Sequence, residues 1–139
     1  MKFVQETRPS WTTADQVYAA IVTFRVSEAP IVTLNSPSNG STSVSGIMNF
    51  NCSALDDYNI ANVTLYGNWS GGWHANQTNT ITGTSNETIF NVNLTNGDYI
   101  WNCLAYDNSS LFDWGNSNFS FTVSLDQTGP EIEFIAPTL

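Results

Sequence analysis

The sequence contains Asn51-Cys52-Ser53-Ala54-Leu55-Asp56-Asp57, and the same pattern returns as Asn102-Cys103-Leu104-Ala105-Tyr106-Asp107-Asn108. In each stretch a cysteine and an alanine two residues later lie on one face of a predicted β-strand, and an acidic turn follows. Two equivalent strands with inward cysteines favour a disulfide between two packed sheets. The alternative is a pair of buried thiols in a reducing compartment.

Alternation of apolar and polar residues with a period of two extends outward from these stretches, and no window has the spacing of an amphipathic helix. Five sets of apolar residues each share one face of a predicted strand. They are Met48, Phe50, Cys52 and Ala54; Val63 and Leu65; Phe90, Val92 and Leu94; Tyr99, Trp101, Cys103 and Ala105; and Phe119, Phe121, Val123 and Leu125. Turn clusters at 38–41 and 95–98 separate strands, so we predict an all-β sandwich of about seven strands with one inter-sheet disulfide.

Two short segments of the chain recur. The segment 30–37 returns in altered form at 130–137, and 24–27 returns at 121–124. A period of about 100 residues is the size of one domain in a tandem array. We therefore predict a complete domain at 30–127. Residues 1–29 would be the terminal strand of a preceding repeat or a donor strand, and 128–139 the first strand of a following repeat or a donor strand.

Three motifs carry a resemblance to a known family. They are Pro30-x-Val-Thr-Leu-x-Ser-Pro-x-Asn-Gly-Ser41, Asn49-Phe-Asn-Cys52-Ser-Ala54 and Gly97-Asp-Tyr-x-Trp-Asn-Cys103-x-Ala-x-Asp107. Over 30–127 the chain resembles the immunoglobulin-like repeats of prokaryotic, especially archaeal, cell-surface and filament proteins. The match to antibody domains is looser, because Trp101 stands where those domains place the tyrosine-corner residue. The resemblance implies an immunoglobulin-like sandwich with a structural or adhesive role.

Charge limits the partners of this chain. Only 11% of the 139 residues are charged, and the net charge of −9 comes from 12 acidic residues against three basic ones, all within the first 25 positions. Phosphate recognition needs clustered Lys and Arg, which excludes nucleic acid as a partner and disfavours anionic membranes. No apolar run is long enough to cross a bilayer, so direct membrane insertion of this segment is not expected. Residues 1–25 lack a signal-peptide core, so any export signal is expected upstream.

Glycosylation sequons are the strongest chemical signal. The chain has nine Asn-x-Ser/Thr motifs where chance would give about four. They begin at Asn39, Asn51, Asn62, Asn68, Asn76, Asn86, Asn93, Asn108 and Asn118. Four of them, Asn51, Asn62, Asn93 and Asn118, alternate with inward apolar residues and are predicted to point outward, as a glycan requires. The alternative is a polar surface that is simply rich in Asn, Ser and Thr.

A calcium site is a second candidate. If the strands that carry the two cysteines run in the same direction, the turns after them meet at one end of the sandwich. This arrangement would bring Asp56, Asp57 and Asp107 together, with Asn108 and Asp113 nearby, and hard cations bind several such oxygens. The alternative is that these residues cap turns, a role for which Asp and Asn are equally common. No other cofactor is predicted.

The loop Trp69-Ser70-Gly71-Gly72-Trp73 offers two tryptophans for stacking on sugars, or for packing onto the sheet as a lid. His74, the only histidine, has no nucleophile partner in any recognised motif, so an enzyme is not expected. We therefore predict a non-enzymatic, N-glycosylated structural module of an extracellular tandem array or self-assembling surface filament. The alternative is a carbohydrate-binding or adhesive module that uses Trp69 and Trp73. The expected partners are other copies of the chain or neighbouring immunoglobulin-like repeats.

Overall fold

The computed structural model describes residues 26–129, which form nine β-strands packed as a two-sheet sandwich. The strands are β1 (Ile31–Ser36), β2 (Ser41–Ser43), β3 (Ile47–Leu55), β4 (Ile60–Gly67), β5 (His74–Thr80), β6 (Ser85–Asn93), β7 (Gly97–Asp107), β8 (Phe112–Trp114) and β9 (Phe119–Val123). The three-stranded sheet has the order β1-β3-β6 and the six-stranded sheet the order β2-β9-β7-β4-β5, with β8 also paired to β7. The predicted all-β sandwich is confirmed.

The predicted inward faces form the core between the sheets. Alternate residues of β3, β6 and β9 are buried, because the period-two pattern directs every second side chain between the sheets. In the middle of the six-stranded sheet, consecutive residues of β4 and β7 are buried, at 63–65 and 101–105. Phe50 is fully buried at the centre, and its ring contacts the rings of Trp69, Trp101 and Phe121 at centroid distances of 5.1, 5.1 and 5.5 Å. Trp101, predicted to be inward, is also fully buried.

The predicted disulfide is present and joins the two sheets. Cys52 lies on β3 of the three-stranded sheet and Cys103 on β7 of the six-stranded sheet, with a Cα–Cα distance of 6.5 Å and a sequence separation of 51. Both side chains are fully buried. The alternative of two buried free thiols is therefore wrong.

Nine strands are present where about seven were predicted. The short β2 and β8 have only three residues each, too few to produce a recognisable alternation. Strand β5 was also not predicted. It is an edge strand that is largely exposed, and its sequence, His-Ala-Asn-Gln-Thr-Asn-Thr, therefore has no apolar face. Side-chain hydrogen bonds hold it: Gln77 Nε2 donates to the Asn91 carbonyl at 2.9 Å, and Asn79 Nδ2 donates to Thr88 Oγ1 at 2.7 Å.

The chain enters and leaves the sandwich at opposite ends. Ile31 of β1 pairs with Leu55 at the end of β3, whereas Val123 of β9 pairs with Gly97 at the start of β7. The turns after β3 and β7 lie together, since the Asn108 N–H donates to the Asn59 carbonyl at 3.0 Å. We call the end that holds these two turns the N-terminal pole and the opposite end the C-terminal pole.

The predicted terminal strands, at 17–27 and 130–136, lie almost entirely outside the described residues, as do most of the proposed flanking segments 1–29 and 128–139. Residues 26–29 have no strand. Within 26–129 no helix has the length and apolarity needed to span a bilayer.

Candidate functional site

All nine sequon asparagines lie within the described residues, and each is at least partly accessible to solvent. Six are exposed, namely Asn39, Asn76, Asn86, Asn93, Asn108 and Asn118, and three are half-buried, namely Asn51, Asn62 and Asn68. They are spread over both sheets and several turns. A glycan needs an accessible asparagine, and each of the nine positions meets this condition.

The side-chain amides of these asparagines differ in which atom is bonded. A glycan is attached through Nδ2, so the most available sequons are those whose protein contact uses Oδ1. Asn39 Oδ1 accepts from the Ser120 N–H at 2.8 Å, and Asn118 Oδ1 accepts from Asn102 Nδ2 at 2.9 Å. Asn68 Oδ1 likewise accepts from a backbone N–H. In these three residues the amide is held through Oδ1, and among the contacts of residues 26–129 none uses Nδ2, the attachment atom.

Two other sequons use Nδ2 in a hydrogen bond. Asn51 Nδ2 donates to Glu87 Oε1 at 2.8 Å, and Asn86 Nδ2 donates to the Thr82 carbonyl at 3.0 Å. A glycan at either position has to replace or rearrange that bond. The structure therefore separates sequons whose Nδ2 is hydrogen-bonded from those held through Oδ1, a difference that the sequence motif cannot show.

The predicted meeting of the acidic turns is observed at the N-terminal pole, and Asp107 is its main element. The Asp107 side chain is buried, and its Oδ1 accepts from the backbone N–H groups of Ser109 at 2.8 Å and Leu111 at 2.7 Å. Its Oδ2 accepts from Ser27 Oγ at 3.0 Å. One carboxylate thus fixes the turn after β7 and attaches the incoming chain to it.

The other two carboxylates make turn contacts as well. Asp56 is buried, and its Oδ1 accepts from the Tyr58 N–H at 2.8 Å, while its Oδ2 makes no hydrogen bond within the described residues. The exposed Asp57 accepts from the Glu28 N–H at 3.2 Å. No group of three or more His, Cys, Asp or Glu side chains is arranged around a common metal position in 26–129. The contacts seen are those of turn capping, and calcium binding stays a prediction.

Replacing Asp107 with alanine is expected to lower the free energy of unfolding by about 2–3 kcal/mol, because two backbone N–H groups and one hydroxyl lose their acceptor. Asp57→Ala is the matched control and is expected to cost no more than about 0.5 kcal/mol, since that carboxylate is exposed. Urea unfolding with the disulfide intact measures both values. Equal losses in the two variants would contradict the structural role, and a wild-type midpoint raised by calcium would support a cation at this pole.

The two tryptophans of the 69–73 loop have separate environments. Trp69 stacks on Phe50 at 5.1 Å with an interplanar angle of 26°, and its ring covers Gly67 so closely that a Cβ at that position would overlap it. Trp73 is 41% exposed. Positive φ values of 95° and 144° at Gly71 and Gly72 form the turn between them. Trp69 therefore packs onto the core, and of the predicted sugar-binding pair only Trp73 remains available on the surface.

Trp73 belongs to a cluster of three aromatic side chains that was not predicted from the sequence. Its ring lies 6.0 Å from that of Tyr66 and 6.2 Å from that of Trp114, and Tyr66 packs edge-to-face on Trp114 at 4.6 Å. We call these three residues the outer aromatic cluster. Tyr66 has its neighbour Leu65 fully buried, so it lies on the outer face of β4. The available signal was that Tyr66 is out of phase with the inward residues Val63 and Leu65.

A groove of about 320 Å³ adjoins the outer aromatic cluster. Its lining residues are Trp73, Asn102, Trp114, Gly115, Asn116, Ser117 and Asn118. None of these side chains is charged, and the polar ones are amides and a hydroxyl. Apolar faces beside uncharged hydrogen-bonding groups suit a neutral, hydroxylated ligand better than an ionic one.

No family model matches the sequence, and no curated protein matches it either. Solved structures share its fold. The fibronectin(III)-like modules of Clostridium thermocellum CbhA align with a TM-score of 0.50 and 14% identity over 76% of this chain and 53% of theirs, so this chain spans about half of that structure. The CARDB domain of a Pyrococcus furiosus protein aligns with a TM-score of 0.46 and 17% identity over 76% of this chain and 100% of its own.

The PKD domain of an M14-like peptidase from a Thermoplasmatales archaeon aligns with a TM-score of 0.39 and 23% identity, covering 70% of this chain and 94% of that domain. At these identities the similarity concerns the fold alone. The likeness to the fibronectin(III)-like modules agrees with the two packed sheets seen here. Residues 26–129 therefore have the fold of an immunoglobulin-like β-sandwich, with one disulfide between its sheets.

Proposed function

We propose that this chain is a non-enzymatic structural module of an extracellular tandem immunoglobulin-like array or of a self-assembling surface filament, and that it is N-glycosylated. The observation that carries the proposal is the placement of the first and last strands of the domain, since the polypeptide enters the sandwich at the N-terminal pole and leaves it at the C-terminal pole. Modules with this arrangement extend in a line when they are joined or associate end to end.

Exposed apolar side chains at both poles support end-to-end association. Val26 and Tyr58 lie at the N-terminal pole, and Val44 and Ile47 at the C-terminal pole, each 60% exposed or more. The turn at 44–46 lies beside that at 94–96, because the Leu94 N–H donates to the Gly46 carbonyl at 2.8 Å. Apolar residues grouped at surfaces mark sites of protein contact, and a neighbouring module is the partner that this geometry favours.

An extracellular setting is supported by the chemistry of the domain. A disulfide persists in oxidising compartments, and accessible sequons are useful only to exported proteins. A non-enzymatic role is supported by the contact of the one histidine of the chain, since His74 Nδ1 lies 2.6 Å from the Gly72 carbonyl within its own hairpin. We infer a scaffold whose surface is solubilised by glycans, since charged residues are few.

The test is sedimentation analysis of the full chain secreted from an N-glycosylating host, with glycopeptide mapping of the same material. We expect concentration-dependent linear oligomers, and we expect Ile47→Ser and Tyr58→Ser each to weaken association about tenfold, a loss of about 1.4 kcal/mol per contact. Ile89→Ser is the matched control, because Ile89 is 52% exposed on a sheet face away from the poles.

Three results would contradict the proposal. If the chain remains monomeric up to about 1 mM, it does not self-associate, and the filament form of the proposal is wrong. If all nine sequons were unmodified in the secreted protein, the proposal that the chain is N-glycosylated would be wrong. Equal weakening by Ile89→Ser and by the pole variants would show that association does not use the poles.

A further inference from the structure

We propose that the glycan attached to Asn118 folds back into the groove that Trp73 and Trp114 line together with residues 115–118, so that the outer aromatic cluster is a docking site for one of the chain's own sugars. This inference rests on the N-glycosylation proposed above. It assigns one occupant to the groove and one sequon, out of nine, to a defined structural role.

The amide of Asn118 is held in a fixed orientation at the wall of the groove. Its Oδ1 accepts from Asn102 Nδ2 at 2.9 Å, and Asn102 is itself buried. Asn102 is fixed in turn, because its Nδ2 also donates to the Gly115 carbonyl at 3.0 Å and its Oδ1 accepts from the Cys103 N–H at 2.7 Å. The attachment atom of Asn118, Nδ2, makes no hydrogen bond within residues 26–129, and Asn118 itself lines the groove.

The chemistry of the groove matches a neutral sugar. A pyranose ring has an apolar face of C–H groups that can pack on an indole, and hydroxyls at its rim that need hydrogen-bonding partners. Trp73 and Trp114 supply the aromatic surface, and Asn116 and Ser117 supply amide and hydroxyl groups. The volume of about 320 Å³ is at the lower end of the range for small-molecule sites, about 300–1,000 Å³.

Attachment explains why a shallow, open groove is sufficient. A sugar linked to the groove wall has an effective concentration in the millimolar range, so stacking that would be too weak to hold a free ligand can still hold a tethered one. A glycan at Asn118 also stands in the way of any protein partner that approaches the groove. The chain's own glycan is therefore the occupant that the observations favour over a second macromolecule.

The test compares two variants of the full chain, each secreted from an N-glycosylating host. Ser120→Ala removes the Asn118 sequon but keeps the Asn118 amide that Asn102 binds. Asn93→Gln is the control, since Asn93 is an exposed sequon on β6 of the other sheet. Tryptophan quenching by acrylamide and the thermal midpoint are measured for each protein before and after enzymatic deglycosylation, which supplies the baseline for each substitution.

We expect loss of the Asn118 glycan to raise tryptophan quenching and to lower the midpoint by about 2–4 °C. Asn93→Gln should change neither quantity. In a Trp73→Ala background, Ser120→Ala should lower the midpoint by less than it does in the wild type, because one of the two indoles that stack on the sugar is already gone. Nuclear Overhauser contacts between sugar protons and the Trp73 or Trp114 indoles in the wild type would locate the sugar directly.

The outcomes separate this inference from the proposed function. Glycans at other sequons with Asn118 unmodified would overturn the inference and leave the glycoprotein proposal intact, whereas nine bare sequons would overturn both. A glycosylated Asn118 whose removal has the same effects as Asn93→Gln would show that the sugar does not occupy the groove. Trp73-dependent binding of free oligosaccharides to the glycosylated wild type would also overturn it, since the groove would then be open to sugars from other molecules.

Discussion

Replacing Cys52 and Cys103 together with alanine is expected to lower the free energy of unfolding by about 4 kcal/mol. The disulfide closes a loop with a sequence separation of 51 and so restricts the unfolded chain, and a loss of about 2–5 kcal/mol is typical for such domains. Guanidinium unfolding of the oxidised wild type and the double variant measures the difference. A large part of a stability of about 5–15 kcal/mol therefore depends on one covalent bond.

Reduction of the wild type is the control for this prediction, because it breaks the bond without removing either sulfur from the core. We expect the reduced protein to lose about as much stability as the double variant. A loss below about 1 kcal/mol in both would mean that the core alone holds the two sheets together.

Phe50→Ala is the second prediction and is expected to cost about 3–5 kcal/mol, since it removes the ring on which three other aromatic side chains pack. Ile89→Ala is the matched control on the adjacent strand β6, where the exposed side chain should contribute no more than about 0.5 kcal/mol. Urea midpoints with unchanged slopes would report the two costs directly. A cost for Phe50→Ala close to that of the control would contradict the central position of this residue.

The strands that were predicted correctly are those with one face in the core. Met48, Phe50 and Cys52 illustrate the reason, since burial of every second side chain requires an alternating apolar pattern that is visible in the sequence. Strand β5 has no such pattern. It is held by backbone pairing and by Asn and Gln side chains, and these residues are equally frequent in loops.

The outer aromatic cluster was not predicted from the sequence either, but for a different reason. Tyr66 is out of phase with the inward residues Val63 and Leu65, but its aromatic ring also suggests burial, and no sequence pattern places Trp114 on the outside. The contact of both rings with Trp73 depends on the pairing of β4, β7 and β8.

Trp69 and Trp73 were predicted to act together but have different environments. Their positions in one five-residue loop suggest a shared role, but the backbone at Gly71 and Gly72 turns the two rings apart.

The opposite placement of the two ends of the domain has a mechanical consequence for the proposed array. Tension along such an array would pull β1 and β9 in opposite directions, so that the ladders β1–β3 and β2–β9 would be loaded in shear, with their hydrogen bonds sharing the force. The disulfide transmits force from β3 to β7, so the residues between the two cysteines bear no tension. With a sequence separation of 51, these residues cannot unravel, and the extension of each stretched domain is shorter by about 170 Å. An array of such domains would yield in small steps under load and recover from a partly folded remnant.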